Sequence, residues 1–307
     1  MPDLSPEIAN DPSQSLHIED RFEVRLHRLF QNFKKKVPDL VGKPQTQKVG
    51  DLPVINLDAF QVDLVDAITA TISDPGKIII KETVAEAYQH GIQFAVLWGR
   101  RVGKDIPLME LPADARTMEI LTARDLSELK GITDAMSKEM TRTLSDGVLA
   151  ARPFREVVKD MVATVDNIGI TRASTLVRTE TMRAMNESTR DRYSSVGIEK
   201  FQRLEAIDEK TCDDWEFNVG GETYYGCGEL DGQVFTPEEA AEVDAQAHPN
   251  CRGCWTIYIE ETPSEEAQMS KVQYVTKRLV GRLRTVFFGK EEPRGSEPGD
   301  IWVVKDE

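Results

Sequence analysis

All four cysteines of this 307-residue chain, and one of its four histidines, fall between residues 208 and 254. The window carries Thr211-Cys212-Asp213-Asp214-Trp215, continues through Cys227, and closes on His248-Pro249-Asn250-Cys251-Arg252-Gly253-Cys254. Cys251 and Cys254 make a C-x-x-C whose glycine permits the tight turn that lets two thiolates face one ion. Tetrahedral zinc needs two more ligands, and Cys212, Cys227 and His248 are the nearest in sequence. Four of the five residues Cys212, Cys227, His248, Cys251 and Cys254 then form a four-cysteine or a three-cysteine, one-histidine site. Structural zinc, reduced unliganded thiols and two disulfides all fit this spacing. Catalysis fits it less well. Redox C-x-x-C pairs sit at a helix N-terminus after a strand, whereas this one precedes a strand-like run. Cys251 with His248 as base lacks a second histidine or an orienting pattern. The reading is therefore a non-enzymatic clasp.

Composition narrows the partners. Fifty-three acidic against 38 basic residues give a formal charge of -15, which disfavours a general nucleic-acid coat. Residues 201 to 250 alone hold thirteen Asp and Glu against Arg203 and Lys210, an acidic surface suited to a basic protein partner. The most apolar stretch, Ile78 to Trp98, is interrupted by Lys81, Glu82, Glu86 and His90, so no membrane span is expected. Met1-Pro2-Asp3-Leu4-Ser5-Pro6-Glu7 has neither the basic nor the apolar region of a signal peptide, and the expected compartment is a reducing cytoplasm.

Periodicity predicts an α+β protein. Its N-terminal half is mainly helical, followed by a small β-rich Cys/His unit packed on a helix and by a charged tail. Four regions are expected. Residues 1–55 read as a flexible arm with a short helix at Phe22, Leu26, Leu29, Phe30 and Phe33. Residues 56–130 read as a helical region with helices over 57 to 72 and 82 to 98. A long helix from Asp114 to about Leu144 carries Met136 and Met140 in a core stripe, and Ser145-Asp146-Gly147 reads as a turn. Residues 131–260 hold a helix from Pro153 that closes at Asn167-Ile168-Gly169 and a second from Thr171 to Gly197. After Gly197 come strands over Lys200 to Ile207 and Cys254 to Ile259. On the second helix, Glu180, Arg183, Glu187 and Arg190 form a charge ladder that spacing alone reads as solvated, while Val177, Thr181, Ala184, Met185 and Ser188 make a face where another helix can approach closely. Residues 261–307 read as a basic amphipathic helix over Lys271 to Lys290 and an acidic tail ending in a short docking strand at Ile301-Trp302-Val303-Val304. Lys271, Lys277, Arg278, Arg282 and Arg284 on that helix are the expected contacts to a partner or to DNA.

A series of residues then resembles a known family. Arg178-Thr179-Glu180, Arg183-Ala184, Asn186, Tyr193, Asp208, Thr211-Cys212, Asp231-Gly232 and His248-Pro249-Asn250-Cys251-Arg252 resemble the phage head morphogenesis domain of minor head proteins, typified by the F protein of phage Mu. The likeness spans roughly residues 130 to 258. It implies a minor capsid component of few copies that associates with the portal protein and other capsid or scaffold proteins during prohead assembly. It further implies a place in the virion, inside the head or at the portal vertex, with contact to packaged phage DNA. Two positions depart from the pattern. Trp215 stands where a second cysteine is common, leaving Cys227 to substitute, and Gly253 intervenes before Cys254. The resemblance also implies that Arg178, Glu180 and Arg183 dock their helix onto the Cys/His unit. The alternative is a zinc-containing DNA-binding or nuclease-like module.

Overall fold

Apolar residues repeat every three or four positions from Ile18 to Leu40, and in the structure, a computed structural model, this stripe is the buried face of a 27-residue helix, α1 (Leu16–Gly42). The structure describes residues 11–42, 46–49, 52–109, 111, 114–207, 211–259, 273–279, 282–288 and 301–303. For 46–49, 52–55, 273–279, 282–288 and 301–303 only the backbone path is described. The expected flexible arm is thus corrected over these residues: Phe22, Leu26, Phe30 and Phe33 lie fully inside the main core. Ile18, Val37 and Leu40 extend the stripe beyond the island that the sequence suggested. Basic residues of α1 are tied down as well, Arg25 to Glu82 and Lys34 to Asp166.

A hairpin of β1 (Thr46–Val49) and β2 (Leu52–Ile55) follows. Helix α2 (Leu57–Ile68) is capped by Asn56, whose side chain accepts from the Ala59 N–H, and runs without a break through a π turn (Thr69–Ser73) into α3 (Asp74–Arg101). Pro75, which has no N–H to give, sits just past that turn, a sufficient cause for the irregular hydrogen bonding. Helix α4 (Asp114–Leu149) is longer than expected. Ser145-Asp146-Gly147 is no turn, because Gly147 lets α4 pack against Val157, where an added Cβ would stand 2.5 Å from a methyl group. Met136 and Met140 are fully buried, as the core reading holds. Asp114, where the helix begins as expected, is buried and gripped by both terminal nitrogens of Arg192 at 2.7 and 3.1 Å.

Helix α5 (Phe154–Thr164) continues through a second π turn (Val165–Ile170) into α6 (Thr171–Ser195). Gly169 is therefore no stop, and Thr171 continues the helix instead of starting a separate one. The glycine is a contact point, since a Cβ there would meet the Phe30 ring at 2.6 Å. The small-residue face of α6 does receive another helix, α3. At their crossing Gly91 has no room for a side chain, because a Cβ would overlap Ser188 Oγ and the Met185 carbonyl.

Beyond α6 come β3 (Phe201–Leu204), the hairpin β4 (Glu216–Val219) and β5 (Glu222–Tyr225), α7 (Gly226–Leu230), β6 (Val234–Phe235), α8 (Pro237–Gln246) and β7 (Cys254–Ile257). The two strands expected around the Cys/His stretch exist and pair directly, antiparallel, Leu204 opposite Cys254. With β6 they form a sheet of order β6-β3-β7. A second core of Tyr193, Phe201, Phe217, Phe235 and Trp255 lies here, shared with Phe94 and Trp98 of α3. The fold is α+β with a helical N-terminal half. The expected boundary at 130/131 falls inside α4, and residues 1–258 form one compact unit. Among the described residues no helix is long and apolar enough to cross a membrane.

The remaining residues form a second unit. The expected basic helix over Lys271 to Lys290 is corrected to an antiparallel pair, β8 (Gln273–Leu279) and β9 (Arg282–Phe288), with β10 (Ile301–Val303) parallel to β9. Apolar positions three and four apart do not exclude a strand when β-branched and aromatic residues such as Val275, Thr276, Thr285, Val286 and Phe287 dominate the run. The short strand expected near residue 301 is present as β10.

Candidate metal centre

Two backbone features bring the ligands together. Gly226 has φ +74°, and an added Cβ would overlap the Cys212 carbonyl oxygen, so only glycine lets α7 start against the Cys212 backbone. The Cys227 N–H then donates to both the carbonyl oxygen (3.2 Å) and Sγ (3.3 Å) of Cys212. Asn250 is left-handed at φ 65°, which asparagine tolerates better than most residues. It turns the chain so that the Cys251 N–H donates to the His248 carbonyl, and its own N–H donates to Thr179 Oγ1 of α6 at 3.1 Å.

Four of the five expected ligands meet here. Cys227 Sγ lies 3.4 Å from Cys212 Sγ, 2.9 Å from His248 Nε2 and 3.8 Å from Cys251 Sγ. Two ligand triads of closely spaced atoms share Cys227: Cys212, Cys227 and His248, and Glu205, Cys227 and Cys251. Tetrahedral zinc with Zn–S near 2.3 Å separates two thiolates by about 3.8 Å, which the Cys227–Cys251 spacing meets and the Cys212–Cys227 spacing approaches; Cys251 and the Cys212–His248 pair stand in separate triads, so four-fold coordination requires these side chains to close on one ion. His248 Nδ1 donates to the Pro249 carbonyl at 2.8 Å, which leaves Nε2 as the nitrogen facing the thiols. Cys227, and not a residue near Trp215, is the thiol beside Cys212. Trp215 stacks edge-on against His248 and donates its indole N–H to the Gln246 carbonyl.

Cys254 does not join them. It opens β7, is fully buried in the second core, and its thiol is pushed up by that burial. The C-x-x-C is consequently split between a site ligand and a core residue. Gly253 explains the split: an added Cβ would overlap the side chains of Arg203 and Glu205.

Those two residues were not singled out by sequence. Arg203 on β3 is fully buried, with Nε 2.7 Å from Glu205, Nη1 3.0 Å from Asp244 and Nη2 3.4 Å from Cys251 Sγ, its guanidinium over the Trp255 ring. Asp244 on α8 also accepts from Arg190 Nε and Trp255 Nε1, both at 2.9 Å, and from the Asn186 amide at 3.3 Å. The pKa shifts follow. The thiol bond from Cys227, opposed by burial and helped by Arg203, draws Cys251 down to about 5, while that same bond and burial push Cys227 far up. Burial raises Glu205 to about 8 against the pull of Arg203.

The expected docking triad divides. Arg178 pairs with Glu23 of α1 at 3.2 Å, and Glu180 is buried against α4 beside Asp125 and Arg124. Glu180 and Arg183 pair with each other and are largely buried, not solvated, while Glu187 pairs with a largely buried Arg190 and stays itself half-exposed. Of the three, Arg183 alone reaches the Cys/His unit, lining with Thr179, Asn186, His248 and Cys251 a cavity of about 20 Å³. Docking of α6 is done instead by Asn186, whose amide donates to the Gly253 carbonyl at 2.9 Å, by Arg190, and by Tyr193, whose hydroxyl donates to the Trp255 carbonyl. In the tail, Lys277 stands opposite Arg284 and Arg282 opposite Leu279 in the β8–β9 register, while Arg278 faces Leu283. Lys271 and Asp208 lie outside the described residues. No family model, curated protein or solved structure matches this chain.

Proposed function

We propose that this chain is a non-enzymatic assembly protein of a phage head, a minor head protein that joins the portal and other capsid or scaffold proteins in prohead assembly. Assembly takes place in the host cytoplasm, and the protein ends inside the head or at the portal vertex, in contact with packaged DNA. One observation carries the reading. The residues that resemble the family do structural work on one another: Asn186 and Tyr193 bind the β7 segment, Asp231 accepts the Glu205 N–H at 2.9 Å, and Cys212, His248 and Cys251 surround Cys227. The cavity beside them is about 20 Å³, room for one water, which suits a clasp better than a substrate site.

We further infer that the clasp holds a structural zinc on Cys212, Cys227, His248 and Cys251. Three thiolates and one imidazole leave the site at a charge of -1, and the Arg203 guanidinium faces Cys251 to balance it. Metal content of the reduced full chain tests this. Stoichiometric zinc is expected, lost in Cys227→Ser and kept in Cys254→Ser. Metal-free wild-type protein removes the zinc.

Partner choice is tested by co-purification with portal rings at moderate salt. Retention on the ring is the expected result. Salt-sensitive DNA retention without portal binding, or metal-dependent cleavage of DNA, replaces the reading with the zinc-containing nucleic-acid module.

A further inference from the structure

A groove of about 890 Å³ runs along α4 where α2, the first π turn and the start of α3 pass beside it. It shares no residue with the Cys/His site. Its lining on α4 follows one helical stripe, from Leu126 through Leu129, Thr133 and Ser137 to Thr141, about 22 Å at 1.5 Å per residue. Ile68 and Val65 form the facing wall, and Val65 is 45% exposed although it stands in an apolar setting. The hydroxyls of Thr133 and Thr141 are bonded back to carbonyls of their own helix, each at 2.9 Å, so they ask nothing of an occupant. A second, more open groove of about 360 Å³ continues the first past Leu126 toward Ala115.

Two properties define what fits. The walls are helices whose backbone groups are already paired, so no sheet edge is on offer and an extended strand would bury unsatisfied amides. An occupant must bring its own backbone hydrogen bonds, as a helix does. The charges of the rim also run against those of the chain. Lys77, Lys81, Lys130 and Lys138 line the two grooves against Glu119 and Asp134, in a protein with 53 acidic and 38 basic residues. Lys77 and Lys130 pair with exposed carboxylates one turn away, Asp74 and Asp134, and such pairs give way readily to a partner's carboxylates.

We propose that this groove docks an amphipathic helix of about four turns, with an acidic polar face, supplied by a partner protein. Aliphatic side chains of that helix lie against Val65, Ile68 and Leu126, and its carboxylates meet the lysine rim. The proposal stands apart from the zinc and portal readings, because its residues belong to the helical bundle alone.

The test is selection of 18-residue peptides from a random library on the immobilised full-length chain, followed by fluorescence polarisation with the enriched sequences. Enriched peptides are expected to carry apolar residues at helical spacing with an excess of Asp and Glu. Their affinity is expected to fall at least tenfold in Val65→Glu and in Lys130→Glu/Lys138→Glu, with circular dichroism showing both variants folded. Enrichment of basic or unpatterned peptides, no enrichment, or binding indifferent to Val65→Glu overturns the proposal. Sedimentation of the wild type is the second arm. A concentration-dependent dimer that Val65→Glu dissolves assigns the groove to a second copy of the chain and overturns it equally.

Discussion

The helical bundle and the Cys/His unit bury their interiors by different means. The bundle interleaves long apolar stripes, Phe22 and Phe30 of α1 against Met136 and Met140 of α4 and Met161 of α5, so each side chain is one of many. The Cys/His unit has strands of two to four residues and buries a charge at its centre, Arg203, with Glu205, Asp244 and Cys251 around it. Aromatic rings close over that charge, Phe201 and Phe235 each against Trp255. A core of many small contributions fails gradually. A core organised on one buried cation fails when a single partner is missing, because the charge left behind has neither water nor a counter-charge.

The sharpest way to break this contrast is Arg203→Ala. It strands Glu205 and leaves Asp244 short of a partner, and about 3–5 kcal/mol of stability is expected to go, measured by urea unfolding of the full chain. A loss under 1 kcal/mol would show that the unit does not depend on its central charge. In the bundle, Met136→Ala is expected to cost about 3 kcal/mol through the cavity it leaves, with the zinc stoichiometry unchanged. Where α3 crosses α6, Gly91→Ala forces a methyl into the Met185 carbonyl and Ser188, and about 1–3 kcal/mol is expected to be lost. No change there would mean that the helices part easily.

The bundle has a polar weak point between α4 and α6, and its pH dependence sharpens the comparison. Burial and the neighbouring Glu180 raise the Asp125 carboxyl to about 9, and Asp125 Oδ1 and Glu180 Oε2 have no hydrogen-bond partner apart from each other's carboxyl group. An acid raised on folding keeps its proton in the native state while the unfolded chain releases it. Stability therefore falls as pH rises from the ordinary carboxylate range toward 9, at no more than about 1.4 kcal/mol per pH unit for one proton. Asp125→Asn is expected to flatten that slope between pH 5 and pH 8 in chemical denaturation. An unaltered slope would mean that the proton resides elsewhere.

Much of the bundle is legible in its stripes, because helical periodicity and burial are the same fact seen twice. What misleads is glycine. Gly147 and Gly169 read as punctuation, yet each marks a place where another side chain presses on the backbone, and single-chain spacing carries no information about the neighbour. The tail failed for a related reason: apolar steps of three and four can occur by chance in a strand. In the Cys/His unit the ligand candidates are visible as a cluster, and the two flanking strands as β-branched runs. The divergence of Cys251 from Cys254 was not visible, since it follows from the bulk of Arg203 against Gly253. Arg203 itself left a faint signal, as the one arginine in a heavily acidic stretch and on a strand between apolar neighbours. Asp244 left none, because one carboxylate in an acidic helix resembles the rest until the fold selects it.

Helices α3 and α6 each contribute to both interiors. Ile80 and Val84 of α3 sit in the bundle and Phe94 and Trp98 in the second core, while α6 gives Ala173 and Val177 to one and Met185 and Tyr193 to the other. The Cys/His unit is for this reason not portable. Excising it with α6 alone would strip away the aromatic wall that α3 supplies, so shuffling it into another chain requires carrying a helix encoded about a hundred residues upstream. Its neighbours in space, not its boundaries in sequence, set what can be inherited as one piece.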